Sequence, residues 1–168
     1  MRKIIGDRLS QSKFTAPHLY FTVSIDMTNV TTLLNRFNRD RKERISINDF
    51  LIFTVSKVLA EQPKMNSSLI NEEIVYHKAV NIGVAVALEE GLMVPVLKAA
   101  NQKGISVISK EVRILIQLAR ERKLMPEDYQ GGTFTLSNLG MYGVENFTAI
   151  INSPEAAILS VGEIKKMP

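Results

Sequence analysis

Two stretches of this chain carry residue types that can do chemistry. In Gly131-Gly132-Thr133-Phe134-Thr135-Leu136-Ser137-Asn138-Leu139-Gly140, a short β-type run ends in Ser-Asn between glycines. A hydroxyl and an amide held at a fixed point on a strand end can stabilise an oxyanion, although Ser, Asn and Gly also build ordinary turns. Arg36-Phe37-Asn38-Arg39-Asp40-Arg41-Lys42-Glu43-Arg44 carries five positive and two negative charges. It reads either as a solvated helix end or as a docking patch for phosphates or an acidic partner. Aromatic platforms for bases are missing around it, which argues against nucleic acid.

Other candidates are weaker. The two histidines, His18 and His77, show no metal-ligand spacing, so no metal is expected. His18 follows Pro17 at a strand entry and reads as a hydrogen-bonded structural histidine. His77, beside Lys78, reads as a surface turn residue. Ser10-Gln11-Ser12-Lys13 fits an SxxK pattern but has no SDN or KTG companion, and there is neither a Walker loop nor GxGxxG. Cysteine is absent, which excludes disulfides, thiol nucleophiles, Cys-zinc sites and iron–sulfur clusters.

These residues need elements to hold them. The 168 residues suit one domain, and 45% hydrophobic with 23% charged residues is a globular composition. The net charge of +4 can steer an anionic ligand. No apolar run reaches the ~20 residues of a membrane span, and the start lacks a signal-peptide core, so a soluble intracellular domain without a membrane partner is expected.

A helix is predicted over 2–14, with Ile5, Leu9 and Ile4 on one face and Arg2 among the outward residues, followed by a strand over 18–26 and a helix over 28–44 with Val30, Leu33, Leu34 and Phe37 inward. Ser46 to Asp49 offers capping side chains before an apolar helix that ends near Pro63. Strands are expected at 74–76 and, nearly continuously apolar, at 80–88. A turn at Glu89-Glu90-Gly91 leads to a partner strand over 92–97, in which Pro95 marks an edge or a bulge. Ser106 is read as the cap of a helix running to about Lys123, with Val107, Val112, Leu115 and Leu118 inward and a basic tail that suits the helix dipole. A strand over 133–136, a loop from Ser137 to Gly143 and a strand over 156–161 complete an α/β pattern with a mixed sheet.

Several segments together resemble one family. Arg8-Leu9-Ser10-Gln11-Ser12-Lys13 with Pro17-His18-Leu19-Tyr20 looks like its RLxxSKxTxPHxY opening, and Ser46-Ile47-Asn48-Asp49-Phe50 like its SxNDF helix start. Asn81 to Val86 with Gly91 to Val96 is similar to its paired central strands. Gly131 to Gly140 and Asn152 to Gly162 are similar to its last motifs before the catalytic one. The family is the catalytic domain of the dihydrolipoyl acyltransferases, the core of the 2-oxo acid dehydrogenase complexes. Tyr129-Gln130-Gly131-Gly132 and Met141-Tyr142-Gly143-Val144 tilt the likeness toward the pyruvate, acetyl-transferring branch.

The resemblance implies a chloramphenicol-acetyltransferase-like two-layer α/β fold, a mixed sheet flanked by helices. It implies homotrimers assembling into a core of 24 or 60 subunits, with coenzyme A as substrate and a lipoyl group carried on a separate domain. Decarboxylase and dihydrolipoyl dehydrogenase components would be partners, in the bacterial cytoplasm or the mitochondrial matrix. Ser137 matches the serine that donates to the oxyanion. Ser46, Asn138, Gly162 and Ile164 match positions lining the coenzyme A site. The family's general-base histidine lies in a C-terminal HRxxDG motif that residues 1–168 do not contain. The expectation is therefore a single, C-terminally truncated catalytic domain over 1–168 that is inactive by itself; the alternative is a non-catalytic structural or binding core protein of the same complex.

Overall fold

The computed structural model describes residues 2–89 and 91–166. The expected turn residue Glu90 and the expected facing of the Arg2 and Ile4 side chains lie outside what is described. Along the chain run α1 (Arg2–Thr15), α2 (Thr28–Phe37), α3 (Ile47–Glu61), β1 (Ser67–Ile70), β2 (Glu73–Tyr76), β3 (Ile82–Val84), β4 (Val86–Leu88), β5 (Gly91–Met93) and β6 (Val96–Leu97). They continue with α4 (Ile105–Arg120), the single turn α5 (Pro126–Tyr129), β7 (Phe134–Asn138) and β8 (Ile158–Val161). The main sheet has the order β6-β3-β7-β8, with β3, β7 and β8 parallel and β6 antiparallel. Two separate hairpins, β1-β2 and β4-β5, flank it. This is the expected mixed sheet with helices.

Burial explains the layering. Ile52 and Leu59 of α3 and Ile108 and Val112 of α4 close over Ile82, Val84, Leu97, Phe134 and Leu136, and all are buried in one apolar cluster. Each such side chain contributes roughly 1.5–3 kcal/mol on leaving water. α3 starts as its sequence predicts: the Ser46 hydroxyl accepts the Asp49 N–H at 3.1 Å, and the Asp49 carboxylate accepts the Ser46 N–H at 2.7 Å. This reciprocal capping box satisfies two donors that the first turn leaves unpaired.

Several expectations change. Residues 18–26 form no strand: Leu19 and Phe21 are 82% and 88% exposed, and Val23 and Ile25 are also exposed. Their period-two pattern is a strand pattern, but among the described residues no neighbouring strand offers a ladder. α2 stops at Phe37, with Leu33 and Phe37 exposed, and the charged residues after it form a turn. Gly104 caps α4 in place of Ser106, which lies inside the first turn, and Val107 is exposed. The run 80–88 breaks at Ala85 into β3 and β4, because Pro95 cannot donate to a ladder. Its carbonyl instead accepts the Val84 N–H at 2.9 Å, and β6 forms the sheet edge, as the proline suggests. Ser137 and Asn138, expected in a loop, extend β7. β1 was not foreseen; its hairpin turns through Asn71 and Glu72, both with positive φ (50° and 65°), the geometry that two-residue hairpins favour.

The remaining face of β7 is polar. Thr133 and Thr135 are buried there, and Thr135 donates to the Glu155 carboxyl at 2.6 Å. The Asn152 amide donates to the other carboxyl oxygen at 3.0 Å. Only 6% of Glu155 is exposed, and this burial pushes its pKa up to about 7 against the opposing pull of its hydrogen bonds and of Arg8. A carboxyl that holds its proton more tightly folded than unfolded lends stability that is full below its ordinary pKa near 4.5. That contribution, on the order of 3 kcal/mol, is lost as pH rises through about 7. The melting temperature should therefore fall by several degrees between pH 5 and pH 8, and Glu155→Gln, which keeps the neutral shape, should flatten that fall when both proteins are scanned by calorimetry.

Candidate functional site

Parallel strands place all their carboxyl ends along one edge of a sheet, and side chains there meet the loops rather than the core. At that edge β3 ends at Val84, β7 at Asn138 and β8 at Val161, with Ser137 in register with Ser160 and Asn138 with Val161. Ser137 is half-buried, and among the described residues no group bonds its hydroxyl. A hydroxyl fixed on a strand yet uncommitted can donate to a ligand.

Asn138 points to the opposite face, with one bond at each end of its amide. Its amide donates to Asn48 Oδ1 at 2.6 Å, and its own Oδ1 accepts the Gly140 N–H at 2.8 Å. The first contact ties the end of β7 to the start of α3, so Ser46, the N-cap two residues before Asn48, belongs to the same wall. Ser46 is exposed, and because its oxygen already accepts the Asp49 N–H, the hydroxyl can still donate outward.

Gly162 follows β8. The chain after β7 folds back over it: Leu139 N–H donates to Val161 O at 3.1 Å and Glu163 N–H to Val144 O at 2.9 Å. A methyl group on Gly162 would stand 1.9 Å from the Glu145 carbonyl, and one on Gly140 would stand 2.5 Å from the Gly162 carbonyl. Both glycines are required by this close backbone approach. Ile164, two residues further on, is exposed. The structure thus gathers Ser137, Asn138, Gly162 and, through Asn48, Ser46 at one end of the sheet, with Ile164 at its margin. Sequence reasoning missed two neighbours: Asn48, read only as a capping side chain, and Ser160, whose place beside Ser137 is set by strand register.

The histidines lie elsewhere. His18 Nε2 accepts the Ile151 N–H at 3.1 Å, so its proton resides on Nδ1, which donates to Ala16 O at 2.6 Å. It is the structural histidine its position suggests. His77 is half-buried, not a plain surface residue: its Nε2 lies 2.8 Å from Ser68 Oγ and its N–H bonds Asn66 O. It lines a cleft of about 490 Å³ with Arg8, Asn81, Thr133 and Glu155, at the end of β7 opposite Ser137. Among the described residues no group of three His, Asp or Glu side chains could hold a metal ion, and no helix is long and apolar enough to cross a membrane.

Comparison with known proteins gives this edge of the sheet its context. The chain is 47% identical over 170 residues to the dihydrolipoyllysine-residue acetyltransferase component of the pyruvate dehydrogenase complex of Rickettsia felis, covering 99% of this chain and 41% of that protein. It therefore spans about two fifths of the length of that relative. The dihydrolipoamide acetyltransferase of Azotobacter vinelandii, studied for the catalytic role of a serine, a histidine and an asparagine, superposes with a TM-score of 0.93 at 31% identity, over 99% of this chain and 71% of that one. The cubic core of the pyruvate dehydrogenase multienzyme complex gives the same TM-score, identity and coverage. The pattern of the 2-oxoacid dehydrogenases acyltransferase (catalytic domain) matches residues 1–168 from end to end, and the chain belongs to that family.

Proposed function

We propose that residues 1–168 form the coenzyme A and oxyanion side of an acetyltransferase domain in a pyruvate dehydrogenase complex. The observation that carries this reading is the uncommitted, half-buried hydroxyl of Ser137 at the carboxyl edge of a parallel sheet, next to the Asn138–Asn48 wall. In the proposed reaction the sulfur of coenzyme A attacks the acetyl thioester of a dihydrolipoyl group. A carbon–sulfur bond forms, and the carbonyl oxygen takes up negative charge. Ser137 donates its proton to that oxygen in a hydrogen bond, an interaction worth about 3–4 kcal/mol where it is made only in the transition state. Collapse expels the dihydrolipoyl sulfur, which takes the proton released by coenzyme A. Ser46 and Asn138 hold the coenzyme A side, Gly162 lines it through its backbone while letting residues 144–145 close against β8, and Ile164 covers its rim.

The proton of the attacking thiol needs a base with a free lone pair. His18 has both ring nitrogens committed to backbone groups, and His77 lies at the far cleft. The base therefore comes from outside the described residues, as the HRxxDG motif of the family implies. The domain acts as a homotrimer within a core of 24 or 60 subunits, served by a lipoyl domain, a decarboxylase and a dihydrolipoyl dehydrogenase. Its setting is the bacterial cytoplasm or the mitochondrial matrix. The exposed apolar alternation Leu19, Phe21, Val23 and Ile25 supports assembly, since side chains of that size seldom stand together in water.

Calorimetric titration of coenzyme A into this chain at low salt should give saturable binding, weakened about tenfold by Asn138→Ala, which frees the start of α3 from β7. Ser46→Ala should weaken it too, but that change also removes the helix cap at about 1 kcal/mol, so Asn138→Ala is the cleaner reading. Coenzyme A that fails to bind, or binds unchanged to Asn138→Ala, would remove the proposed wall. Acetyl transfer from acetyl-dihydrolipoamide by these 168 residues alone should stay at the uncatalysed rate. Turnover that disappears in His18→Ala would show instead that the base is internal.

A further inference from the structure

An oxyanion is stabilised best by a donor already aimed at it. The Ser137 hydroxyl is free to turn: a serine side chain has three staggered positions, and its O–H rotates besides. Only the strands on either side of β7 can hold it.

On one side β3 has ended at Val84, opposite Leu136, and the next residue, Ala85, has no polar side chain. On the other side β8 runs level with β7, and Ser160 is the register partner of Ser137. Side chains at paired positions share a face, on strands roughly 4.8 Å apart. The pair one step back, Leu136 and Leu159, belongs to the apolar cluster and its packing, so the two serines stand on the opposite, polar face. The row beneath them offers no donor, because Thr135 is spent on Glu155 and Ile158 is apolar. Thr133 is spent on the backbone of Asn81. Of these four hydroxyls, Ser137 and Ser160 alone bond no group among the described residues, and both are half-buried.

Two half-buried hydroxyls side by side stay under-satisfied unless they bond each other or a ligand. Rotation about χ1 on paired strands brings such oxygens within hydrogen-bonding reach. We propose that Ser160 is a positioning residue: its hydroxyl donates to Ser137 Oγ and holds the Ser137 O–H toward the thioester oxygen. The ligand sets the direction of the chain. An oxyanion only accepts, so Ser137 donates to it and takes its own bond from Ser160. A hydroxyl that accepts a hydrogen bond is the stronger donor, which makes the pair better than Ser137 alone. The role in the reaction rests on the function proposed above; the pairing of the serines rests on strand register.

The test measures acetyl transfer from acetyl-dihydrolipoamide to coenzyme A by the full-length, assembled protein carrying Ser137→Ala, Ser160→Ala, Ser160→Thr or both alanines. Ser137→Ala should lower kcat roughly 100-fold or more. Ser160→Ala should lower kcat about tenfold with KM for coenzyme A unchanged, the loss of one hydrogen bond felt in the transition state. Ser160→Thr, which keeps the hydroxyl, should restore most of that loss. Because Ser160 acts through Ser137, Ser160→Ala should cost nothing further in the Ser137→Ala protein. An unchanged kcat in Ser160→Ala, or the same loss in both backgrounds, would overturn the positioning role, the latter marking Ser160 as an independent donor. An undiminished rate in Ser137→Ala would instead remove the function proposed above. A crystal structure with acetyl-coenzyme A bound should place the two Oγ atoms about 2.8 Å apart, and a separation beyond hydrogen-bonding distance would overturn the pairing whatever the rates.

Discussion

The arrangement depends on the two-faced character of β7. Phe134 and Leu136 enter the apolar cluster built by α3, α4 and β3, which forces Thr133, Thr135 and Ser137 to the other face. A slip of one residue would drive the hydroxyls into the core and expose a phenyl ring, so packing that has nothing to do with chemistry fixes the register. Because β3 and β8 run parallel to β7 on either side, the strand can end only at the edge where the loops gather. Ser137 stands free at that edge because the core below it is full.

The polar face needs its own satisfaction, and Glu155 provides it. Its carboxyl ties β7 to the turn before β8 through Thr135 and Asn152. The same turn holds α1: Ser12 Oγ donates to Ile151 O at 2.5 Å, Ser153 Oγ bonds Ser12 Oγ at 3.0 Å, and Arg8 donates to Ser153 O at 3.2 Å. His18 clips the residues after α1 to the same stretch through Ile151. A polar network of this kind stabilises when its buried members are paired; the two hydrogen bonds favour the Glu155 carboxylate, burial favours its protonated form, and burial prevails.

Local signals in the sequence were legible where local physics decides. Ser46 and Asp49 announced the start of α3, the apolar periodicity of α4 located its body, and the Gly-framed Ser137-Asn138 pointed to the end of β7, where the candidate site lies. The signal failed where partners are distant. Residues 18–26 have the alternation of a strand, but alternation creates no hydrogen-bonding neighbour. Val80 to Leu88 is uniformly apolar, yet it breaks at Ala85 because its partner contains Pro95. Ser67 and Ser68 form a strand that their small polar side chains do not advertise, and both are buried. The Asn138–Asn48 bond joins residues 90 positions apart, and no local pattern encodes it. The roles of Gly162 and Ile164 came from family likeness alone; geometry explains the glycine through close approach and leaves Ile164 at the margin.

The chemistry of the site then follows from what its donors have left to give. Asn138 spends both of its functions on holding α3 and Gly140, and His18 spends both nitrogens on backbone groups, so neither can exchange a proton with a substrate. Ser46 retains one donor and Ser137 its whole hydroxyl. Such a wall can stabilise an oxyanion and hold an amide-rich arm, but it cannot deprotonate a thiol. Under the proposed function, catalysis needs a base brought in from another segment or another subunit. The apolar stretch 18–26, exposed and without a ladder among the described residues, is the surface that such a segment or subunit would cover at the least cost in water-exposed apolar area.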